Sequence, residues 1–374
     1  MKICHLIYDD IANPWLGGGG AVRAWEINRR LAARHEITLI TGAFPGAADQ
    51  HKEGVRFLRV GAGGSYARSR LAYCRGALSC LKSLEWDVLV HEFSAFAPLW
   101  IPRPLRRQGV LLFYHFVGHH ALKKHPLVGG IAWAAEVLTL RAYQRIVTIS
   151  PSVTRMVERK LAGQAVQVDC IYTGVDRRYF ALEPREEPYL LYFGRTDIHT
   201  KGLDTLVEAF AHLAPHYPEL TLKFAGRGTA EAEARLHNLV ETAGIAARVE
   251  ILGSVDEEEK GRLLSCSLFV CMPSRYEGWG IVAVEAAAAG KAVLGTRVSG
   301  LEDAIRDGET GLLVEAGQVE ELAQGMRILI EDVAKRRALG NKGKEWARQF
   351  DWDRIATAQE EVYLGVLEEN EEKD

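Results

Sequence analysis

Apolar residues in the first half of the chain fall into short runs that stop at polar residues, separated by longer stretches with helical spacing. Residues 2–8 are one such run, closed by Asp9-Asp10, and they predict a buried strand. In residues 21–34 the apolar positions Val22, Trp25, Ile27 and Leu31 are interleaved with arginines, which predicts an amphipathic helix. Strands follow at 37–41 and 55–60, then a helix at 66–84 that carries Arg68, Arg70, Arg75 and Lys82. Further strands are expected at 87–91, 110–115 and 146–150, the last leading into a helix that Pro151 can open. Strands alternating with helices at this spacing mean parallel βαβ units and a doubly wound sheet. Ligands of such sheets bind at the strand carboxyl ends. The polar residues expected there are Asp9, His91, His115 and Ser150.

The pattern pauses at the turn Thr173-Gly174-Val175-Asp176 and at a charged, proline-bounded link over 183–188. It then repeats, with strands expected at 189–193, 220–225, 249–252, 268–272, 292–295 and 311–314, and helices at 203–213 and 231–243 among them. The expectation is therefore an α/β protein of two Rossmann-like domains, 1–183 and 184–350, whose strand ends face each other across a cleft. Residues 351–374, opening on Asp351-Trp352, are expected to be terminal helices that cross back to the first domain.

Composition fits that picture: 374 residues, 48% hydrophobic and 25% charged, are enough for two ordinary cores. None of the six cysteines form a C-x2-C pair, and several sit in apolar runs, so they read as small buried hydrophobes in a reduced, cytoplasmic compartment. The opening apolar run is too short for a secretory segment. No run reaches the roughly 18 apolar residues of a membrane span. Residues 127–140 come nearest, interrupted by Glu136.

Charge adds an asymmetry. Residues 1–183 hold 24 Lys and Arg against 14 Asp and Glu, net +10, while the rest hold 22 against 35, net −13. A basic half meets something anionic: a membrane surface, an anionic acceptor or the acidic half itself, unless both are simply solvated surfaces. Arg68, Arg70, Arg75, Arg103, Arg106, Arg107, Lys123 and Lys124 are the contributors expected at a membrane surface. No nucleic-acid-binding motif accompanies this charge.

Candidate chemistry gathers in the second half. After the strand ending at Met272, the segment Pro273-Ser274-Arg275-Tyr276-Glu277-Gly278-Trp279-Gly280-Ile281 leads into an alanine-rich helix bearing Glu285. Its glycines let amides approach a ligand, and a helix start favours an anion, which suits a phosphate. Glu277 and Glu285, about two helical turns apart, are acceptors suited to paired sugar hydroxyls. After the strand ending at Phe193, Gly194-Arg195 and Lys201-Gly202 bring a bidentate fork and a point charge, both suited to a diphosphate. A weaker signal is the loop Gly17, Gly18, Gly19 and Gly20 between the first strand and first helix, which can hold a phosphate or make room for a substrate. It lacks the pattern of a nicotinamide-binding turn. His115 and His119 have H-x3-H spacing, with His120 beside them, but no Glu or thiolate completes a zinc set. His115 reads better as a strand-end residue touching substrate.

Taken together these residues resemble glycosyltransferase family 4, with its GT-B architecture. The resemblance rests on E-x7-E from Glu277 to Glu285 in the context P-S-x-x-E-G-x-G, and on G-R-x5-K-G from Gly194 to Gly202, and it covers nearly the whole chain. It implies that a hexose-type sugar moves from a UDP- or GDP-linked donor to a hydroxyl acceptor, with retained anomeric configuration and no metal or other cofactor. Arg195 and Lys201 would neutralise the leaving diphosphate. Glu285 would hold the ribose, Glu277 the transferred sugar, and the amides of Gly278, Trp279, Gly280 and Ile281 would touch sugar and phosphate. His115 would stand near the reacting carbon, and Gly17–Gly20 close to the phosphates or acceptor. Two departures stand out: Trp279 where phenylalanine is common, which would tighten the sugar pocket, and Tyr114-His115-Phe116 without the Asp often found after that histidine. A lipid-linked or glycan acceptor at the inner membrane face fits the basic half. The competing readings are a sugar-nucleotide epimerase or hydrolase, which would want more carboxylates than Asp9, Asp10 and Glu92 at the first strand ends, and a non-catalytic scaffold, which would have lost Arg195, Lys201 or Glu277.

Overall fold

A computed structural model describes residues 1–15, 17–94, 101–116 and 126–371. The chain forms two compact units: Met1–Thr173 together with Trp352–Asp374, and Gly174–Asp351. The boundary thus falls ten residues before the sequence-based one. Residues 174–183 fold with the second unit because Val175 bridges to Asp351 and the Tyr179 side chain is buried there with its hydroxyl donating to Glu257 at 2.9 Å.

The first unit is built on β1 (Lys2–Leu6), β2 (Glu36–Gly42), β3 (Gln50–Lys52), β4 (Val55–Val60), β5 (Val88–Glu92), β6 (Gly109–Phe113), β7 (Arg145–Thr148) and β8 (Gln167–Cys170). They form one sheet in the order β3-β4-β2-β1-β5-β6-β7-β8, parallel except for the antiparallel β3–β4 edge pair. The central strands are buried on both faces, as strands covered by helices on both sides must be, with His5, His91 and Glu92 the polar exceptions among apolar residues. The helix Trp352–Glu371 lies against the helix Gly19–Leu31, and its Trp352, Ile355 and Tyr363 join the core of Ile3, Trp25, Leu39 and Val90.

The second unit carries β9 (Tyr189–Phe193), β10 (Thr221–Ala225), β11 (Val249–Gly253), β12 (Val270–Met272), β13 (Val293–Thr296) and β14 (Gly311–Val314), all parallel, in the order β11-β10-β9-β12-β13-β14. The helix Leu203–Leu213 packs Leu206, Phe210 and Leu213 into a core with Leu190, Leu222, Phe269 and Leu294. Each sheet reverses direction once, between β1 and β5 in the first and between β9 and β12 in the second. Such switch points part the loops that follow the two strands and open a crevice at their carboxyl ends.

Several expectations shift. β6 stops at Phe113, so His115 is two residues past the strand rather than its last residue. Cys170 is exposed at the end of the edge strand β8, whereas Cys4, Cys266 and Cys271 are buried as expected. Residues 126–140 are a 15-residue helix, and among the described residues no helix is long and apolar enough to cross a membrane. His119, His120, Lys123 and Lys124 lie outside the described residues.

Candidate active site

The loop that follows β9 is fixed by its neighbours. The Gly194 amide donates to the Ala225 carbonyl at 2.9 Å, the Gly226 amide to Gly253 at 2.7 Å and the Thr196 amide to Arg227 at 3.0 Å, so the loops after β9, β10 and β11 are stitched into one rim. The Tyr192 hydroxyl donates to the Arg195 carbonyl at 2.7 Å from below. The Asp197 carboxylate accepts from the Thr200 amide at 3.0 Å, and the Lys201 amide closes back on the Asp197 carbonyl at 2.9 Å. Arg195 thus sits exposed on a braced backbone, and among the described residues it has no ion-pair partner. Gly202 ends the loop in the left-handed conformation at φ 64°, where a Cβ would stand 2.0 Å from the Pro273 carbonyl oxygen. Only glycine fits there, and the fit brings the loop after β9 against the loop after β12.

That second loop is held by Arg275. Its guanidinium pairs with both Asp204 carboxylate oxygens, at 2.7 and 2.9 Å, and donates to the Thr205 hydroxyl and the His199 carbonyl at 3.0 Å each. Nothing in the sequence pattern marked Arg275 or Asp204; the bidentate match between a loop arginine and a first-turn carboxylate is legible only once the two loops are adjacent. The consequence is that Lys201 and Glu277, 76 residues apart in sequence, form an ion pair of 2.5 Å with both side chains largely covered. Burial pushes the Tyr192 hydroxyl up. The Glu277 charge adds to the shift and the Arg195 charge opposes it, so both lie within electrostatic reach of that hydroxyl. Gly280 caps the helix Ile281–Ala288 in the left-handed conformation, and the Gly278 amide donates to the Glu277 carboxylate at 3.3 Å.

Two sequence expectations are refined here. The Trp279 ring is 2% exposed and packs edge-on to Phe350 at 5.2 Å, so it belongs to the core and does not tighten a pocket; what this residue can present is its amide. Glu285 is buried, and it stands about one turn into its helix rather than two. One of its oxygens accepts from the Lys260 ammonium at 2.7 Å, and the other has no hydrogen-bond partner among the described residues. Burial raises its carboxyl above the ordinary range, against the pull of Lys260. Lys260 itself lies over the rings of Phe193 and Tyr179, at 5.1 and 5.4 Å. It was missed in the sequence because it stands in the charged run Glu257-Glu258-Glu259-Lys260, which reads as a solvated helix face. A buried carboxylate with a spare oxygen, held by a cation stacked on aromatic rings, is poised to accept hydrogen bonds from hydroxyl groups.

In the first unit the strand-end residues divide. The His91 Nδ1 is 2.8 Å from the Tyr143 hydroxyl in the core, and Ser150 caps the helix Pro151–Lys160; both serve structure. The glycine loop holds an anion of its own, since the Gly17 and Gly18 amides each donate to the Asp9 carboxylate at 2.9 Å. Gly19 and Gly20 open the helix Gly19–Leu31. A Cβ at Gly20 would meet the Tyr114 ring at 3.2 Å and Glu92 at 3.6 Å. Glu92 is buried beside His5, whose Nε2 lies 3.1 Å from it. His115 is exposed.

Strand order and loop chemistry together define the class: a GT-B protein of two Rossmann-like domains with a charged, carboxylate-bearing crevice at the switch point of the second sheet. Two family models tile the chain, one described as Glycosyltransferase Family 4 over residues 17–179 and one as Glycosyl transferases group 1 over residues 177–346. The chain belongs to glycosyltransferase family 4. It is 31% identical over 243 residues to a glycogen synthase of Mycobacterium tuberculosis, an alignment covering 62% of this chain and 57% of that protein. The matched region spans less than two thirds of the first curated relatives' own length. A phosphatidyl-myo-inositol mannosyltransferase of the same organism is 28% identical over 349 residues, 89% of each chain. Among solved structures, a sucrose-phosphate synthase from Thermosynechococcus elongatus superposes with a TM-score of 0.85 over 98% of each chain at 23% identity.

Proposed function

We propose that this protein moves a hexose-type sugar from a nucleoside diphosphate sugar to a hydroxyl acceptor, with retention at the anomeric carbon and without a metal ion. The observation that carries this reading is the Lys201–Glu277 pair beside Arg195 at the β9/β12 switch point, with Glu285 buried about one turn along the helix Ile281–Ala288 rather than two.

Breaking a sugar–phosphate bond leaves positive charge on the sugar and extra negative charge on the diphosphate. Arg195 supplies a planar fork for phosphate oxygens. Lys201 has three donors, so it can keep Glu277 and still hold a phosphate oxygen. These cations stabilise the leaving group in the role that a metal plays elsewhere. Glu277, fixed by Lys201 and by the Gly278 amide, presents acceptors to the hydroxyls of the transferred sugar. The spare oxygen of Glu285 accepts from the ribose hydroxyls. Retention follows if the leaving phosphate takes the acceptor's proton on the face it departs from, which asks for no protein nucleophile. His115, Gly19 and Gly20 are assigned to the acceptor side.

The acceptor is proposed to be a lipid-linked or glycan hydroxyl presented at an anionic membrane surface. The net +10 of residues 1–183 supports this, as does similarity over 89% of each chain to a relative named as a phosphatidyl-myo-inositol mannosyltransferase. Thermal shift with uridine, guanosine and adenosine diphosphates selects the donor base, and proton NMR of the first product gives its anomeric configuration. An inverted product would overturn the retaining mechanism, and no shift with any nucleoside diphosphate would overturn the donor class.

A further inference from the structure

The strand amino ends of the first unit, the edge opposite to Asp9, Glu92 and the glycine loop, carry a cavity of about 680 Å³. It opens where β6, β7 and β8 begin. Its charged lining is Arg103, Arg106, Arg107, Arg141 and Arg145 against the single carboxylate of Glu369. Arg145 is engaged, with Asp169 at 2.7 Å and Glu369 at 2.9 Å. Arg103 and Arg141 are exposed, and neither forms an ion pair among the described residues. Guanidinium groups gathered around one carboxylate repel one another, and an added anion with several oxygens relieves that repulsion while filling their forks.

A second observation says what kind of anion. The helix Pro126–Leu140 leads directly into Arg141. Its Leu127, Ile131 and Leu138 are 86%, 57% and 56% exposed. At 3.6 residues per turn these three share one face with Ala134 and with Arg141. Ala132, Ala135 and Leu140 pack inward. An apolar stripe therefore runs along the helix and ends on the rim of the arginine cavity. A small phosphorylated solute would match the arginines and leave the stripe wet. A phospholipid at a bilayer surface matches both, its phosphate in the cavity and its glycerol and upper acyl region against the stripe.

We propose that this cavity and stripe are an anionic-phospholipid docking site, separate from the transfer chemistry. It gives the membrane part of the proposed function a specific surface and does not depend on the donor site. The test is flotation of the full chain with vesicles of phosphatidylcholine alone or mixed with phosphatidylglycerol. The protein is expected to float with the mixed vesicles and to stay in solution with phosphatidylcholine. Replacing both exposed arginines, Arg103→Gln with Arg141→Gln, is expected to weaken partitioning on the order of thirtyfold. Replacing Ile131→Ser with Leu138→Ser is expected to abolish flotation without lowering the melting temperature. In both variants, nucleoside diphosphate binding read by thermal shift stays at the wild-type level, so failure here is separable from failure of the donor site. Protein that remains in solution with the mixed vesicles overturns the proposal. Flotation unchanged by either pair overturns it too. A melting shift with inorganic phosphate or glycerol phosphate that the arginine pair removes, in protein that does not float, would make this a soluble-anion site instead.

Discussion

The two carboxylates of the 277–285 segment each pair with a lysine, and the burial of Glu285 makes it the one whose titration can be followed. Glu277 is paired with Lys201 at 2.5 Å, whereas Glu285 is buried with its carboxyl raised by desolvation and only partly offset by Lys260. On the role proposed for Glu285, a carboxylate that accepts ribose hydroxyls when ionised and whose folded value is raised loses that role as pH falls through a value above the ordinary 4.5. Donor affinity should therefore fall on the acid side above pH 4.5, and Glu285→Gln should weaken binding at neutral pH and flatten that limb. A pH titration of donor affinity in both proteins checks it, and an acid limb retained in Glu285→Gln would reassign the group. Lys260→Met removes the cation that favours ionised Glu285 and should move the limb to higher pH.

Between the elements, the site depends on contacts that bring the loops after β9 and β12 together. Gly202→Ala forces a Cβ toward the Pro273 carbonyl in a left-handed backbone. The cost should reach about 2 kcal/mol or more. That lowers the melting temperature of a unit this size by about 4 °C or more, and donor affinity falls with it; calorimetry with and without nucleoside diphosphate separates the two effects. The elements themselves were unevenly legible. β9, β14 and the helix Leu203–Leu213 were readable to the residue, because apolar runs with clear polar boundaries leave little freedom. β3 and β8 were not, since Gln50-His51-Lys52 and Gln167-Val168-Asp169-Cys170 are edge strands whose mostly exposed positions need no apolar pattern. The motif residues Arg195, Lys201, Glu277 and Glu285 were legible in sequence, but Lys260, Arg275 and Asp204 act through pairings that no local spacing encodes. The glycine loop is a related case: an anion-binding turn looks the same in sequence whether its anion is a ligand or, as for the Gly17 and Gly18 amides here, the chain's own Asp9.

At the scale of the whole molecule, each unit has its own core, and the chain ends by returning Trp352–Glu371 to the first. The second unit is latched at its start by Glu186, which takes paired hydrogen bonds from Arg336 and Arg337 on the helix Val333–Ala347. Burial alone would raise the Glu186 carboxyl, but those hydrogen bonds hold it down at about 2. A depressed carboxylate stabilises the fold above its unfolded value and loses that contribution as pH falls, here between the ordinary 4.5 and about 2. The second unit should therefore lose stability over that window, and Glu186→Gln should reduce the loss; denaturant melts at stepped pH test it.

The most direct measurement of the central claim is release of nucleoside diphosphate from a panel of sugar donors by the wild type, Lys201→Ala and Glu277→Ala. The wild type is expected to turn over at least one donor. Loss of the Lys201 charge should lower kcat by about two to three orders of magnitude, as removal of a charge-stabilising donor does elsewhere, and loss of Glu277 should also impair turnover. Turnover that survives both substitutions would contradict it.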